Sequence, residues 1–257
     1  MHKLAAPTLM AALMATGASA TTAIGLAGDR TLVSIDLDTA QVTGMQDVDY
    51  DGRILGIDFR PSTGMIIAVT DQFAVVNIDP DTGAWDEVVT MDTPLEHGEG
   101  DVVIVDINPA ADALRFMSGT TNHRVNLGSG AVMVDGSLSF TDGTDGMPMV
   151  GGTAYSNSHG QPESTMMFNI DISLASLLQQ TAPNDGDNVV IGATGATFDG
   201  PVAFDIATTT DGENTAWLVA NGAFHSIDLS SGMITQTWQI GALDVVLRDV
   251  TVFHPAD

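Results

Sequence analysis

One short phrase returns five times along this chain: Ile35-Asp36-Leu37-Asp38-Thr39-Ala40, Ile78-Asp79-Pro80-Asp81-Thr82-Gly83, Val125-Asn126-Leu127-Gly128-Ser129-Gly130, Ile170-Asp171-Ile172-Ser173-Leu174-Ala175 and Ile227-Asp228-Leu229-Ser230-Ser231-Gly232. Its second residue recurs at steps of 43, 47, 45 and 57 residues. A β-run that closes in an Asp or Gly turn and returns every 40–50 or so residues has the period of a propeller blade.

A second phrase alternates with the first. Ile57-Asp58-Phe59-Arg60-Pro61 is echoed by Val105-Asp106-Ile107-Asn108-Pro109, and more weakly around Thr153, Asp205 and Val252. Two strand phrases in antiphase at one period mean that each unit holds several strands. The first phrase opens the series without a partner before it, and the second closes it without a partner after it. The two ends of the chain are therefore expected to complete one blade together, which leaves the ring without an open terminal edge. The expected fold is an all-β, five-bladed β-propeller closed by a blade shared between the N- and C-terminal strands.

Residues 1–20 read as a signal peptide. His2 and Lys3 precede an apolar stretch, and Ala18-Ser19-Ala20 forms a small-residue cleavage site. The apolar stretch is shorter than the ~20 residues a spanning helix needs, so no membrane anchor is expected and the location is periplasmic or secreted. Residues 21–257 then form a single propeller domain. There is no Cys, so no disulfide holds it. At about 237 residues it can bury a core without one.

Charge excludes some partners. The net formal charge is −26. Lys3 is the only lysine, and its removal with the signal peptide leaves −27 balanced on six arginines. Part of the Asp excess is turn chemistry; the remainder resembles a surface adapted to high salt, where screening relieves carboxylate repulsion, and such an adaptation is expected. With no basic patch, no nucleic-acid partner is expected.

The blades can be laid out along the sequence. The first runs over 54–91, the second over 101–140, the third over 149–192 and the fourth over 201–241. The fifth joins 23–48 to 245–255. Helix-period patterning is nearly absent; only 173–180 reads as locally helical. With strands lettered A to D from the axis outward, the A–B and C–D hairpins share one face. The D–A and B–C connections share the other, where propellers usually bind ligands. That second face is expected to carry Asp51, Arg53, the loop Glu96-His97-Gly98-Glu99-Gly100-Asp101, Asn122, Asp142, Asp145 and Asn157-Ser158-His159. Loops longer than a turn requires are more often functional.

The phrase residues and their surroundings also resemble a known family. Asp106-Ile107-Asn108-Pro109-Ala110-Ala111-Asp112-Ala113-Leu114-Arg115, then Asn122-His123-Arg124-Val125-Asn126 and Ala131-Val132-Met133-Val134-Asp135-Gly136, are similar to the signature of a bacterial family described as a domain of unknown function, number 4394. Ala154-Tyr155-Ser156-Asn157 and Pro183-Asn184-Asp185-Gly186 resemble it too. The resemblance implies an exported, propeller-like protein. It implies no activity and no site residues.

Two constellations could carry chemistry. Asp58, Asp106 and Asp205 occupy equivalent places on three innermost strands. They could ring the channel and hold a hard cation such as Ca²⁺, or each could accept hydrogen bonds that lock neighbouring blades. The second constellation is the loop of Glu96, His97, Glu99 and Asp101, with Asn122, Asn157 and His159 expected beside it. Its carboxylates and imidazole could ligate a metal or a ligand, or form a solvated acidic loop, and the spacing matches no established ligand motif. His123, His159, His225 and His254 fall in four different blades, and no G-x-S-x-G elbow supports a Ser/His/Asp triad. The Asp-rich stretches at 142–145 and 184–188 lack EF-hand spacing. The expected function is a non-enzymatic binding module for an extracellular small molecule, glycan or protein. The alternative is a hydrolase or lyase acting at the channel mouth on a carbohydrate or ester. The fold hosts both classes.

Overall fold

A computed structural model describes residues 21–254. The expected signal peptide lies outside the described residues. The described chain is all-β: twenty-one strands form five mainly antiparallel sheets arranged as a five-bladed propeller. The innermost strands are Ile54–Arg60, Ile104–Asn108, Val150–Tyr155, Ala203–Thr208 and Leu247–Phe253.

The ring closes through a blade built from both ends of the chain. Leu247–Phe253 pairs with Thr22–Ala27, and Thr31–Asp36 and Gln41–Asp47 complete the sheet outward. Every innermost strand is then flanked by two others, so no blade has a free face at the axis.

Local chemistry explains the repeated phrase. Its second residue is an Asx cap. Asp36 Oδ1 accepts from the N–H groups of Asp38 and Thr39, Asp79 Oδ1 from Asp81 and Thr82, and Asn126 Oδ1 from Gly128 and Ser129. Its sixth residue takes positive φ in all five copies: 54° at Ala40, 72° at Gly83, 73° at Gly130, 47° at Ala175 and 80° at Gly232. Gly adopts that conformation without a Cβ penalty. At Gly83 and Gly130 a Cβ would also collide with a carbonyl oxygen 2.1 Å away in the preceding blade, Asp47 and Thr90 respectively. These turns tuck against their neighbours, which is why Gly prevails there.

The fourth copy is out of phase. Four copies close C–D hairpins, but residues 170–175 join strand B, Met167–Asp171, to strand C, Ser176–Ala182. The C–D turn of the third blade is instead Pro183-Asn184-Asp185-Gly186, before the strand Asp187–Ala193. The expected local helix at 173–180 is therefore a turn running into a strand: the 171–175 turn chemistry breaks the alternating pattern just before Ser176. The third blade also gains a fifth strand. Ser139–Phe140, expected in the second blade, pairs in parallel with Asp187–Ala193 and covers that outer edge.

Five apolar clusters fill the seams between adjacent blades. The smallest lies between the second and third blades, formed by Ile104, Met117, Leu138, Val150, Tyr155 and Met167. That seam is also the most polar. Arg115, only 2% exposed, donates to Tyr155 Oη at 3.2 Å, Asn122 Oδ1 at 2.8 Å, Asp135 Oδ2 at 2.8 Å and Asn184 Oδ1 at 3.3 Å. Arg124 grips the same Asp135 carboxylate through Nε and Nη2. Thr153, Asn169, Gln180 and Asn188 add a second buried hydrogen-bonded chain within the third blade.

Candidate functional site

The innermost strands bring Asp58, Asp106 and Asp205 together at the axis. One carboxylate oxygen from each lies within 4.8 Å of the others, and all three residues are buried. Each also bridges to the next blade. Asp58 Oδ2 accepts from Ile107 N–H, Asp106 from Tyr155 N–H, and Asp205 Oδ2 from Val252 N–H. Asp249 continues the pattern one layer nearer the D–A face, accepting from Ile57 N–H at 2.8 Å. Gly56 makes room for it: a Cβ there would sit 2.8 Å from Asp249 Oδ2 and 2.7 Å from Val105 Cγ2. In the closing blade Thr251, one residue before the phrase echo at Val252, meets the ring through its hydroxyl, 3.0 Å from Asp58 Oδ1 and 3.1 Å from Asp205 Oδ2. In the third blade Thr153 stands where the others place Asp, and its hydroxyl turns away to Asn169 Oδ1.

These carboxylates have no cationic partner. Among the described residues, no Arg or His forms an ion pair with Asp58, Asp106 or Asp205. Burial raises the Asp58 and Asp106 carboxyls well above the ordinary carboxylate range, and their mutual repulsion with Asp205 adds to this. Burial lifts Asp205 to about 6, against the N–H groups of Val252 and Ile206. It lifts Asp249 to about 7, against the Ile57 N–H and the charge of Arg248. A ring of buried carboxyls without guanidinium must take up protons or a cation.

Above this ring, on the D–A face, the channel mouth opens into a cavity of about 190 Å³. The loop leading into the second blade lines it with His97, Glu99 and Asp101, as its position before an innermost strand requires. Leu55, Val103 and Val202 supply apolar wall where the inner strands begin. Arg53 and Arg248 complete the lining. Asp101 Oδ2 is occupied within its own loop, accepting from Gly98 N–H at 2.6 Å, and His97 Nδ1 lies 3.2 Å from Gly98 O. Glu96 is exposed and does not line the cavity.

The other expected site residues go elsewhere. Asn122 is buried in the Arg115 network, where its amide donates to Gly136 O and Pro183 O. Its side chain is consumed by the seam. Asn157 and His159 lie on the opposite face, because residues 156–166 connect strands A and B of the third blade. Asn157 and Ser158 N–H groups there donate to Asn214 Oδ1 and Thr208 Oγ1 of the fourth blade. The long gap between the strand phrases hid which connection that loop makes. Asp142 caps the outer edge of the third blade through Val190 N–H. His225 is engaged by Thr237 Oγ1 and Ala220 O.

Sequence reasoning missed Arg248 and gave Arg53 no role. Scarcity was the available signal: these are two of only six arginines in the chain. Arg60, Arg115 and Arg124 are paired with carboxylates, and Arg30 holds Tyr50 O. The remaining two sit at the mouth.

The fold is similar to that of several solved structures. A luciferin-regenerating enzyme aligns with a TM-score of 0.51 and 11% identity, covering 86% of this chain and 73% of its own. A structural-genomics protein of unknown function from Bacteroides thetaiotaomicron aligns with a TM-score of 0.51 and 13% identity, covering 93% of this chain and 66% of its own. At these identities the likeness is one of fold. No functionally curated protein matches the chain. Residues 30–251 match the family model described as Domain of unknown function (DUF4394), a span that reaches into all five blades and leaves out the strand Thr22–Ala27 of the closing one. The residues on which the sequence resemblance rests, Arg115, Asn122, Asp135 and Asn184, are the ones that knit the second and third blades together, and the chain belongs to that family.

Proposed function

We propose that this propeller is an exported, non-enzymatic binding module that holds a small extracellular molecule at the D–A channel mouth. The observation that carries this reading is the mouth cavity itself. It is concave, walled by Leu55, Val103 and Val202, and edged by a few convergent polar groups, as small-molecule sites are. The hydrolase or lyase alternative needs an acid/base pair free to act on a substrate. Asp101 is instead hydrogen-bonded into its own loop, and His97 faces the Gly98 carbonyl. Export rests on the charged, apolar and small-residue pattern of residues 1–20. The axial ring adds a place for a hard cation such as Ca²⁺, since three buried carboxylates converge there with no protein cation.

A fragment screen read by backbone amide shifts of the mature chain tests the site. Saturable shifts are expected at residues 97–103, and Val102→Trp, at the cavity edge, is expected to abolish them. Saturable binding confined to the opposite face would overturn the reading. Turnover of chromogenic esters or glycosides that is lost in His97→Asn or Glu99→Gln would replace it with the hydrolase.

A further inference from the structure

The mouth holds two guanidinium groups that no carboxylate of the described residues hydrogen-bonds, although the nearby charges of Asp249 and Asp29 favour the Arg248 cation. Arg248 is half-buried, and its donors go to carbonyl oxygens: Nε to Gly28 at 2.6 Å, Nη1 to Leu55 at 2.8 Å, and Nη2 to Asp29 and Ile54. Carbonyls orient a guanidinium but do not cancel its charge. Arg53 stands close enough to Arg248 for the two like charges to oppose each other. Its nearest carboxylate, Asp29, is 3.9 Å from Nε and mostly exposed. Arg53 Nε is itself buried and, among the described residues, has no hydrogen-bond partner. A buried N–H donor left open costs free energy, while the rest of the Arg53 side chain is 41% exposed at the mouth. Every other arginine among the described residues has a carboxylate or a carbonyl within hydrogen-bond reach.

Building on the mouth as the binding site, we propose that it takes an organic monocarboxylate with an apolar body, the carboxylate docking against Arg53 and Arg248. A guanidinium pair is the usual protein partner for a carboxylate. The rest of the cavity says what surrounds that carboxylate. Leu55, Val103 and Val202 offer apolar wall, and Pro201 leads to a second apolar hollow against Leu243 and Val246. The rim says why a single charge is favoured. Glu99 and Asp101 are exposed at the edge of a strongly acidic protein, so each additional negative charge on a ligand meets repulsion. A phosphate dianion is penalised twice where a carboxylate is penalised once.

Hexanoate is the probe, with hexanamide as its neutral isostere and inorganic phosphate as the competing anion. Amide shifts at residues 97–103 of the full mature chain report binding. Arg53→Gln is the informative variant, because Arg248 also holds four carbonyls and its loss would disturb the fold. Hexanoate is expected to shift these amides saturably and to bind roughly tenfold more weakly to Arg53→Gln. Hexanamide and phosphate are expected to bind at least tenfold more weakly than hexanoate to the wild type. Equal binding of hexanamide and hexanoate at the mouth overturns the carboxylate inference while leaving the mouth as a binding site. Tighter binding of phosphate than hexanoate overturns the monocarboxylate preference. The absence of any saturable hexanoate shift overturns the inference outright, while saturable shifts from other fragments would still uphold the site.

Discussion

Two buried polar regions in this propeller solve the same problem in opposite ways. At the seam between the second and third blades, Asp135 is buried against two guanidinium groups, Arg115 and Arg124, and amides complete the set. At the axis, Asp58, Asp106 and Asp205 are also buried, and backbone N–H groups donate to Asp58 and Asp205, yet no guanidinium reaches the three. The seam's buried carboxylate has its counter-charge, so it acts as a fixed cross-link where the apolar cluster is smallest. The axis is charge-incomplete, so its state depends on what the solution supplies. Burial alone does not tell a structural polar cluster from a responsive one; the balance of charge does.

The sharpest way to break this contrast is to remove one partner from the complete cluster. Arg115→Met is expected to destabilise the protein by about 3–5 kcal/mol, because it leaves the Asp135 carboxylate and the Asn122 and Asn184 amides short of donors. Urea unfolding measures it. A loss below about 1 kcal/mol would mean that the seam is held by its apolar cluster and that the network is incidental.

Acidity probes the incomplete cluster next. Asp205 and Asp249 rise to about 6 and about 7 in the folded protein, against roughly 3.9 when unfolded. Carboxyls raised in this way favour the fold while protonated, and that contribution is lost as pH climbs through the folded values. The exposed turn carboxylates Asp79, Asp142 and Asp228 are lowered by donors of their own turns and of a neighbouring strand, so their smaller contribution is lost on acidification. Stability is therefore expected to peak near pH 4 and to fall from there to about pH 7, by up to about 1.4 kcal/mol per pH unit for each carboxyl that is ionised in the unfolded chain and still protonated in the folded one. Asp249→Asn, which keeps an acceptor for Ile57 N–H, should flatten the fall. Melting temperatures across pH 4–9 decide it; a melting point that climbs from pH 5 to 8 would contradict a proton-holding axis.

The smallest expected effect sharpens the contrast further. A divalent cation competes with those protons, so Ca²⁺ should raise the melting temperature more at pH 8 than at pH 5, by mass action. Asp106→Asn should remove that difference, while a Glu96→Gln, Glu99→Gln, Asp101→Asn variant should keep it, because the axial carboxylates rather than the rim loop converge. NaCl at matched ionic strength separates site binding from screening of the acidic surface. Loss of the Ca²⁺ effect in the triple variant alone would return the cation to the loop.

Much of this was legible in the residues. The phrase at Asp36, Asp79 and Asn126 encodes an Asx-capped turn, a local event complete within six residues, so its recurrence revealed the blade period. Glu99 and Asp101 could be placed at the mouth because a D–A loop must end where an innermost strand begins. The third blade resisted for an equally local reason. Asp171 caps its turn as Asp79 does, but between strands B and C, and nothing in six residues says which pair of strands a turn joins. With that phase lost, Asn157 and His159 were assigned to the wrong face, and Ser139–Phe140 to the wrong blade.

The sequence by itself determined the strand-and-turn period, the number of blades and the joining of the two ends, because each follows from short-range backbone chemistry repeated along the chain. Only the tertiary structure decided what the polar residues do. It gave Arg115 and Asn122 to a seam, left Asp58, Asp106 and Asp205 without a counter-charge, and set Arg53 beside Arg248 at the mouth although 195 positions separate them in the chain. Whether a buried charge is balanced depends on which distant groups close around it, and a propeller brings those groups together only when the ring closes.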